Sequence, residues 1–162
     1  MGGSEIGSQT EQPSIVLRAA SFADMPFLRE HIEKFLLDDE DLDYRQFIVA
    51  AEGDEIVGFG RIRPHKKVYE LGGVGVIESR RDQGIGRMIV EHLISIFPTD
   101  DVYFTTDIPE YFEKLGFRKI EPTPRELTEK IERICKTRCR KEAVAMLYKR
   151  ERKTDRIIPI PE

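Results

Sequence analysis

The stretch VGVIESRRDQGIGRMIVEHLI, residues 74–94, decides the fold. It begins as an apolar, β-branched run, passes two arginines and a polar pair, and reaches glycines at 84 and 86 before apolar residues resume at helical spacing. The order is strand, glycine turn, helix. Glycines at that turn let main-chain amides point inward, and the first turn of a helix adds about half a positive charge, so the segment is suited to hold an anion. Two familiar phosphate loops are excluded by spacing. The nucleotide-triphosphate loop Gly-x-x-x-x-Gly-Lys-Ser/Thr does not occur. The dinucleotide fingerprint needs a third glycine where the chain has Ile89.

Working outward, SIVLRAA (14–20) is β-rich, and SFADMPFLREHIEKFLL (21–37) opens with a capping serine and repeats apolar positions at helical spacing. An acidic connection, DDEDLD (38–43), precedes RQFIVAAEGDEIVGFGRIRPH (45–65), two β-rich runs joined by a Gly-Asp-Glu turn. KVYELGGVGVI (67–77) adds a third strand. Downstream, the helix runs from about Ile85 to Ile96 and stops before Pro98. DVYFTT (101–106) is a strand, IPEYFEKLGF (108–117) a short helix closed at Gly116, ELTEKIERICKTRC (126–139) a helix and EAVAMLYKR (142–150) a strand. A meander followed by a β-helix-β crossover predicts an α/β fold, with a mixed, mainly antiparallel central sheet flanked by helices.

At 162 residues the chain suffices for one sizeable core, expected over 14–150, between a disordered leader (1–13) and a tail (151–162). No apolar stretch is long enough to span a bilayer, and the start lacks the basic and apolar blocks of a secretory signal, so no membrane role is expected. Only Cys135 and Cys139 are present, which points to a reducing, cytoplasmic setting. The first third of the chain is acidic and the last third basic. This asymmetry reads as solvated surface or as two regions with different partners. The basic part matches no nucleic-acid module and the net charge is −4, so no nucleic-acid partner is expected. His31, His65 and His92 are scattered, and the two cysteines lack further ligands, so no metal is expected.

The turn Arg81-Asp82-Gln83-Gly84-Ile85-Gly86 resembles the pyrophosphate-binding motif of the GNAT superfamily of acetyl-CoA-dependent N-acetyltransferases. YFEKLGF (111–117) resembles the family's second signature, a helix beside the acyl end of the cofactor, and the likeness in element order covers roughly Ile15 to Lys149. The resemblance implies a single-domain GNAT-like fold with acetyl-CoA as acetyl donor, gripped by residues 81–86 and Arg87. It implies a bulged strand at Gly72 and Gly73, a Val74 amide that polarises the acetyl carbonyl, and a Val76 backbone that pairs with the pantetheine arm. Glu70, eleven residues before Arg81, matches the spacing of the catalytic glutamate in histone-type members. It is the candidate base, with a pKa expected to be raised by burial. Where many members carry a tyrosine that protonates the thiolate, this chain has Phe112. Tyr111 lies one place early, about 100° around a helix. It is kept as a catalytic candidate, with a core aromatic as the simpler reading.

Two readings of the acceptor pull in opposite directions. Arg61 and Arg63 share a strand face and offer a fork for a carboxylate, and Arg140 occupies the arginine place of a segment that looks somewhat like the N-acetylglutamate synthases. Asp39, Glu40 and Asp41, in the connection that often shapes the acceptor site, favour a cationic amine instead. The expected function is acetyl transfer to a primary amine of a small molecule or peptide. A glutamate-type acceptor and a CoA-binding module without chemistry are the alternatives, and a homodimer is left open.

Overall fold

The computed structural model describes residues 14–138 and 143–150. The leader, the tail, Cys139 and Arg140 lie outside the described residues. Seven strands form one sheet: β1 (Ile15–Ala19), β2 (Phe47–Glu52), β3 (Glu55–Pro64), β4 (Tyr69–Val76), β5 (Asp101–Thr106), β6 (Arg118–Lys119) and β7 (Val144–Lys149). Their spatial order is β1-β2-β3-β4-β5-β7-β6. All neighbours are antiparallel except β4 and β5. Four helices, α1 (Met25–Lys34), α2 (Ile85–Ser95), α3 (Pro109–Glu113) and α4 (Arg125–Arg138), join them. The expected single-domain α/β sheet with flanking helices is what forms. The two-residue β6 was not foreseen, since so short a strand carries no periodicity.

α1 follows a short 3₁₀ turn in which Asp24 accepts from the Ser21 backbone and from Arg18. It presents Met25, Leu28 and Ile32 to Phe47, Val49 and Phe59 on one face of the sheet. The helix stops earlier than the predicted 37. The Leu37 amide closes back onto the Ile32 carbonyl at 2.9 Å and Leu36 turns left-handed at φ 57, which peels residues 35–38 away toward the sheet.

On the other face, α2 lays Ile85, Ile89, Val90 and Leu93 against the sheet. Gly60 on β3 makes the close approach possible, since a Cβ there would stand 2.8 Å from Ile89 Cγ2 and 2.9 Å from Leu93 Cδ1. Phe104, Phe112 and Phe117 extend this core beyond β5.

Between the pairs Phe59↔Gly75 and Arg61↔Gly72, two steps on β3 span three on β4. The extra residue is a bulge, and Gly73 within it takes φ +55, a conformation that disfavours any side chain with a Cβ. This is the distortion expected at Gly72 and Gly73. β4 and β5 pair only at Glu70↔Tyr103 and Leu71↔Phe104, then part.

Gly75 packs face-on against aromatic rings: a Cβ would meet Phe59 Cζ at 2.7 Å and Phe35 Cδ2 at 2.9 Å. Gly75→Val is therefore expected to lower stability by about 1–3 kcal/mol. Urea unfolding measures it, and an unchanged midpoint would contradict this packing.

Candidate active site

Where β4 and β5 part, a cleft of about 590 Å³ opens. One end is the loop 81–86, with Phe35 beside Arg81; the other is walled by α4 and by Leu37 and Asp38 of the segment that leaves α1. The loop is shaped by two left-handed residues, Asp82 at φ 64 and Gly84 at φ 84, the latter capping α2. A Cβ on Gly84 would meet nothing within 4 Å, so the helix N-terminus faces open space within the cleft. Ile85 is the buried residue that seats the turn on the sheet.

The Ile77 amide bonds the Val57 carbonyl at 3.0 Å. Antiparallel alternation therefore turns the Val76 main chain away from β3. The Val76 carbonyl accepts from Arg81 Nε at 2.9 Å, while the Arg81 guanidinium lies 5.0 Å from the Phe35 ring centroid. Val74 sits in the bulge, and both valines line the cleft.

The other polar residues of the loop are engaged locally. Gln83 accepts from Arg80 Nε at 3.0 Å, and Arg80 also pairs with Glu52. This brace was not foreseen, because Glu52 is distant in sequence. Arg87 pairs with Glu91 one turn along α2, on exposed surface.

At the opposite end, Glu70 is only 1% exposed. Its carboxylate lies 2.7 Å from His65 Nε2, accepts from Thr105 Oγ1 at 2.6 Å and accepts from Lys130 Nζ at 2.7 Å. The expected upward pKa shift is corrected. Burial does push the Glu70 carboxyl up, but the Lys130 charge and the hydrogen bonds from His65, Lys130 and Thr105 outweigh it and hold it well below the usual carboxylate range. Lys130 and Thr105 line the cleft, whereas Glu70 stands outside its lining.

Arg61 and Arg63 share one face, as expected, but the arginine fork is already filled. Arg61 Nη2 donates to Asp38 Oδ2 at 3.0 Å and Arg61 Nη1 to Gln46 at 3.1 Å. Arg63 donates to the same Asp38 oxygen, to Glu40 at 3.0 Å and to Asp41 at 3.2 Å. Glu40 also takes both donors of Arg133, at 2.7 and 2.8 Å. The cationic and anionic candidates for the acceptor site are thus largely each other's partners. Asp39 is exposed at the same connection.

Tyr111 is corrected as a core aromatic: it is 42% exposed, and Phe112, at 6%, fills the core. The Tyr111 hydroxyl lies 4.0 Å from where a Cβ of Gly86 would stand, which puts it beside the first turn of α2. Arg140 lies outside the described residues. Lys130, Thr105, Asp38 and Phe35 escaped sequence reasoning. The one available signal was Lys130 itself, a lysine on the apolar stripe formed by Leu127, Ile131 and Ile134. Among the described residues no cluster of three or more His, Cys, Asp or Glu is placed to hold a metal ion, and no helix is long and apolar enough to cross a membrane.

The Acetyltransferase (GNAT) family model matches residues 16–117, and the chain belongs to that family. Among curated proteins, none matches the sequence significantly. Solved structures share the fold. N-acetylglutamate synthase from Neisseria gonorrhoeae, complexed with coenzyme A and N-acetyl-glutamate, superposes with a TM-score of 0.70 at 14% identity over 88% of this chain and 36% of its own. Rv2747 from Mycobacterium tuberculosis, solved with CoA, gives 0.64 at 21% identity over 83% and 98%. The ribosomal-protein-S18-alanine N-acetyltransferase from Escherichia coli gives 0.59 at 15% identity over 90% and 99%. The chain spans about a third of the length of the Neisseria enzyme.

The hydrogen bond from Arg133 holds the Glu40 carboxyl down from 4.5 to about 2, against desolvation and with help from Arg63. A depressed carboxyl contributes stability in full above its unfolded value and loses it as pH falls through the folded one. The melting-temperature gap between the wild type and Glu40→Gln should therefore be widest above pH 4.5 and close as pH approaches 2. A gap that does not change with pH would contradict the pairing.

Proposed function

We propose that this chain transfers the acetyl group of acetyl-CoA to a primary amine. The observation that carries this reading is the continuous cleft between β4 and β5, which has the open, glycine-bearing start of α2 at one end and a walled, partly apolar chamber at the other. The residues fit the donor: the open cradle at Gly84 suits phosphate oxygens, and the main chain of β4 beyond Leu71 has no strand to pair with on the cleft side. Bound there, acetyl-CoA would supply the activated acyl thioester.

The amides of residues 82–86 would hold its diphosphate, and the Tyr111 hydroxyl, beside Gly86, would face the same end. The Val76 main chain would align the arm, and the Val74 amide would donate to the acyl oxygen as charge develops on it. Glu70, bound by three donors and standing outside the cleft lining, is assigned as a positioning residue that fixes Lys130 and Thr105. The burial of Phe112 favours one second reading, a CoA-binding module without chemistry.

Acetyl-CoA should raise the melting temperature, by about 2.7 kcal/mol of stabilisation at a hundred times its Kd. Gly84→Val should abolish the shift. Thiol release in the presence of amines then separates an enzyme from a silent binder, and a wild type without any shift removes the cofactor assignment.

Glu70→Gln should keep the acetyl-CoA shift and lower turnover at least about tenfold while the acid limb of the kcat/KM profile stays in place. Loss of a general base would instead erase that limb.

A further inference from the structure

At the far end of the cleft the charged groups are paired with one another and the remaining lining is largely apolar. Asp38, Glu40, Asp41 and Glu70 face Arg61, Arg63, Lys130 and Arg133, so the fixed charges cancel among themselves. Among the charged groups that line this end of the cleft, Lys130 keeps capacity to spare; Arg63 Nε is also buried without a partner, but Arg63 stands outside the lining. Its ammonium has three donors. One goes to Glu70 Oε2 and one to Thr105 Oγ1, both at 2.7 Å, while Asp38 Oδ2 at 3.8 Å is too far for a hydrogen bond. Lys130 is 6% exposed and lines the cleft. A buried ammonium with an unfilled donor favours an anionic oxygen. Around it, besides Asp38 and Thr105, the lining is apolar: Ile131, Ile134 and Cys135 from the same face of α4, with Leu37 from the segment after α1.

We propose that the acceptor is a free α-amino acid with an apolar side chain, whose carboxylate is received by Lys130. The inference rests on the acetyl-transfer reading and specifies its acceptor. Thr105, which accepts from Lys130, lies one residue past the last β4–β5 pair, so Lys130 stands at the apex where the strands part. An amine on the carbon that bears the carboxylate is thereby kept at that apex, beside the Val74 bulge. The side chain then points among Ile131, Ile134 and Leu37. A second carboxylate placed there, as in glutamate, would be desolvated among these apolar side chains, with Lys130 already taken by the first. A polyamine would bring further positive charge to Lys130 and find the neighbouring carboxylates already bound.

The test measures kcat/KM by thiol release, at saturating acetyl-CoA, for leucine, phenylalanine, glutamate, spermidine and 3-methylbutylamine, which is leucine without its carboxylate. Leucine and phenylalanine should exceed glutamate and spermidine by about tenfold or more. In Lys130→Gln the ratio of leucine to 3-methylbutylamine should fall on the order of ten- to a hundredfold, the worth of one charged hydrogen bond. Comparing that ratio between proteins cancels the different basicities of the two amines. Because the single variant strands the Glu70 carboxylate, Glu70→Gln/Lys130→Gln, which removes both charges, is measured beside it, and the wild-type panel decides alone if neither folds. Preference for glutamate or spermidine, turnover of none of the amines, or an unchanged ratio in the folded variants overturns the proposal. A normal acetyl-CoA melting shift alongside such a result confines the failure to the acceptor, whereas no shift in the wild type refutes the transfer reading itself.

Discussion

The site depends on one constraint: β4 can pair with β5 only at Glu70 and Leu71. The bulge at Gly73 inserts a residue on the β3 side and bends β4, so the two parallel strands diverge immediately beyond that point. Backbone amides and carbonyls that lose a ladder must find other partners. One does so within the protein, when the Val76 carbonyl is taken by Arg81. The rest of β4 presents its main chain to the slot. The start of α2 closes one end because its loop follows directly from β4, and α4 closes the other because Lys130 reaches across to Glu70 and Thr105.

The second organising feature is the polar network beneath α4 and the acidic connection. Arg61 and Glu70 are each 1% exposed, and Arg63 is also buried. Ion pairs so deep gain little net stability, because desolvation offsets the attraction, yet removing one partner is costly because the other charge stays behind. The network therefore acts mainly as a geometric lock. It attaches the segment after α1 and the face of α4 to a sheet surface that would otherwise be apolar, and so sets the width of the chamber. Its main arms span long stretches of sequence, from Asp38 to Arg63, Glu40 to Arg133 and Glu70 to Lys130.

Family membership does not carry the acceptor with it. The solved structures share the fold at 14–21% identity, and the likeness reaches no further than the fold. The charges that suggested opposite acceptors in the sequence are the clearest instance, since Arg61 and Arg63 pair with Asp38, Glu40 and Asp41.

Local chemistry was legible in the sequence. Period-two and period-3.6 patterns placed β1, the β2–β3 hairpin, α2, β5 and β7. The pair Gly72–Gly73 marked the bulge, and the Arg81–Gly86 spacing marked the turn that starts α2, because tight turns and helix starts are set by residues a few positions apart. What only the tertiary structure decided was how distant charges meet. The acidic first third and basic last third were read as solvated surface or as separate partner regions, but Glu40 and Arg133, and Glu70 and Lys130, are partners of one another. Pairing of this kind reverses the shift expected for Glu70, through Lys130, and fills the fork of Arg61 and Arg63, through Asp38, Glu40 and Asp41. No pattern along the chain encodes it, since a carboxylate's pKa and availability depend on which charges folding brings within a few ångströms.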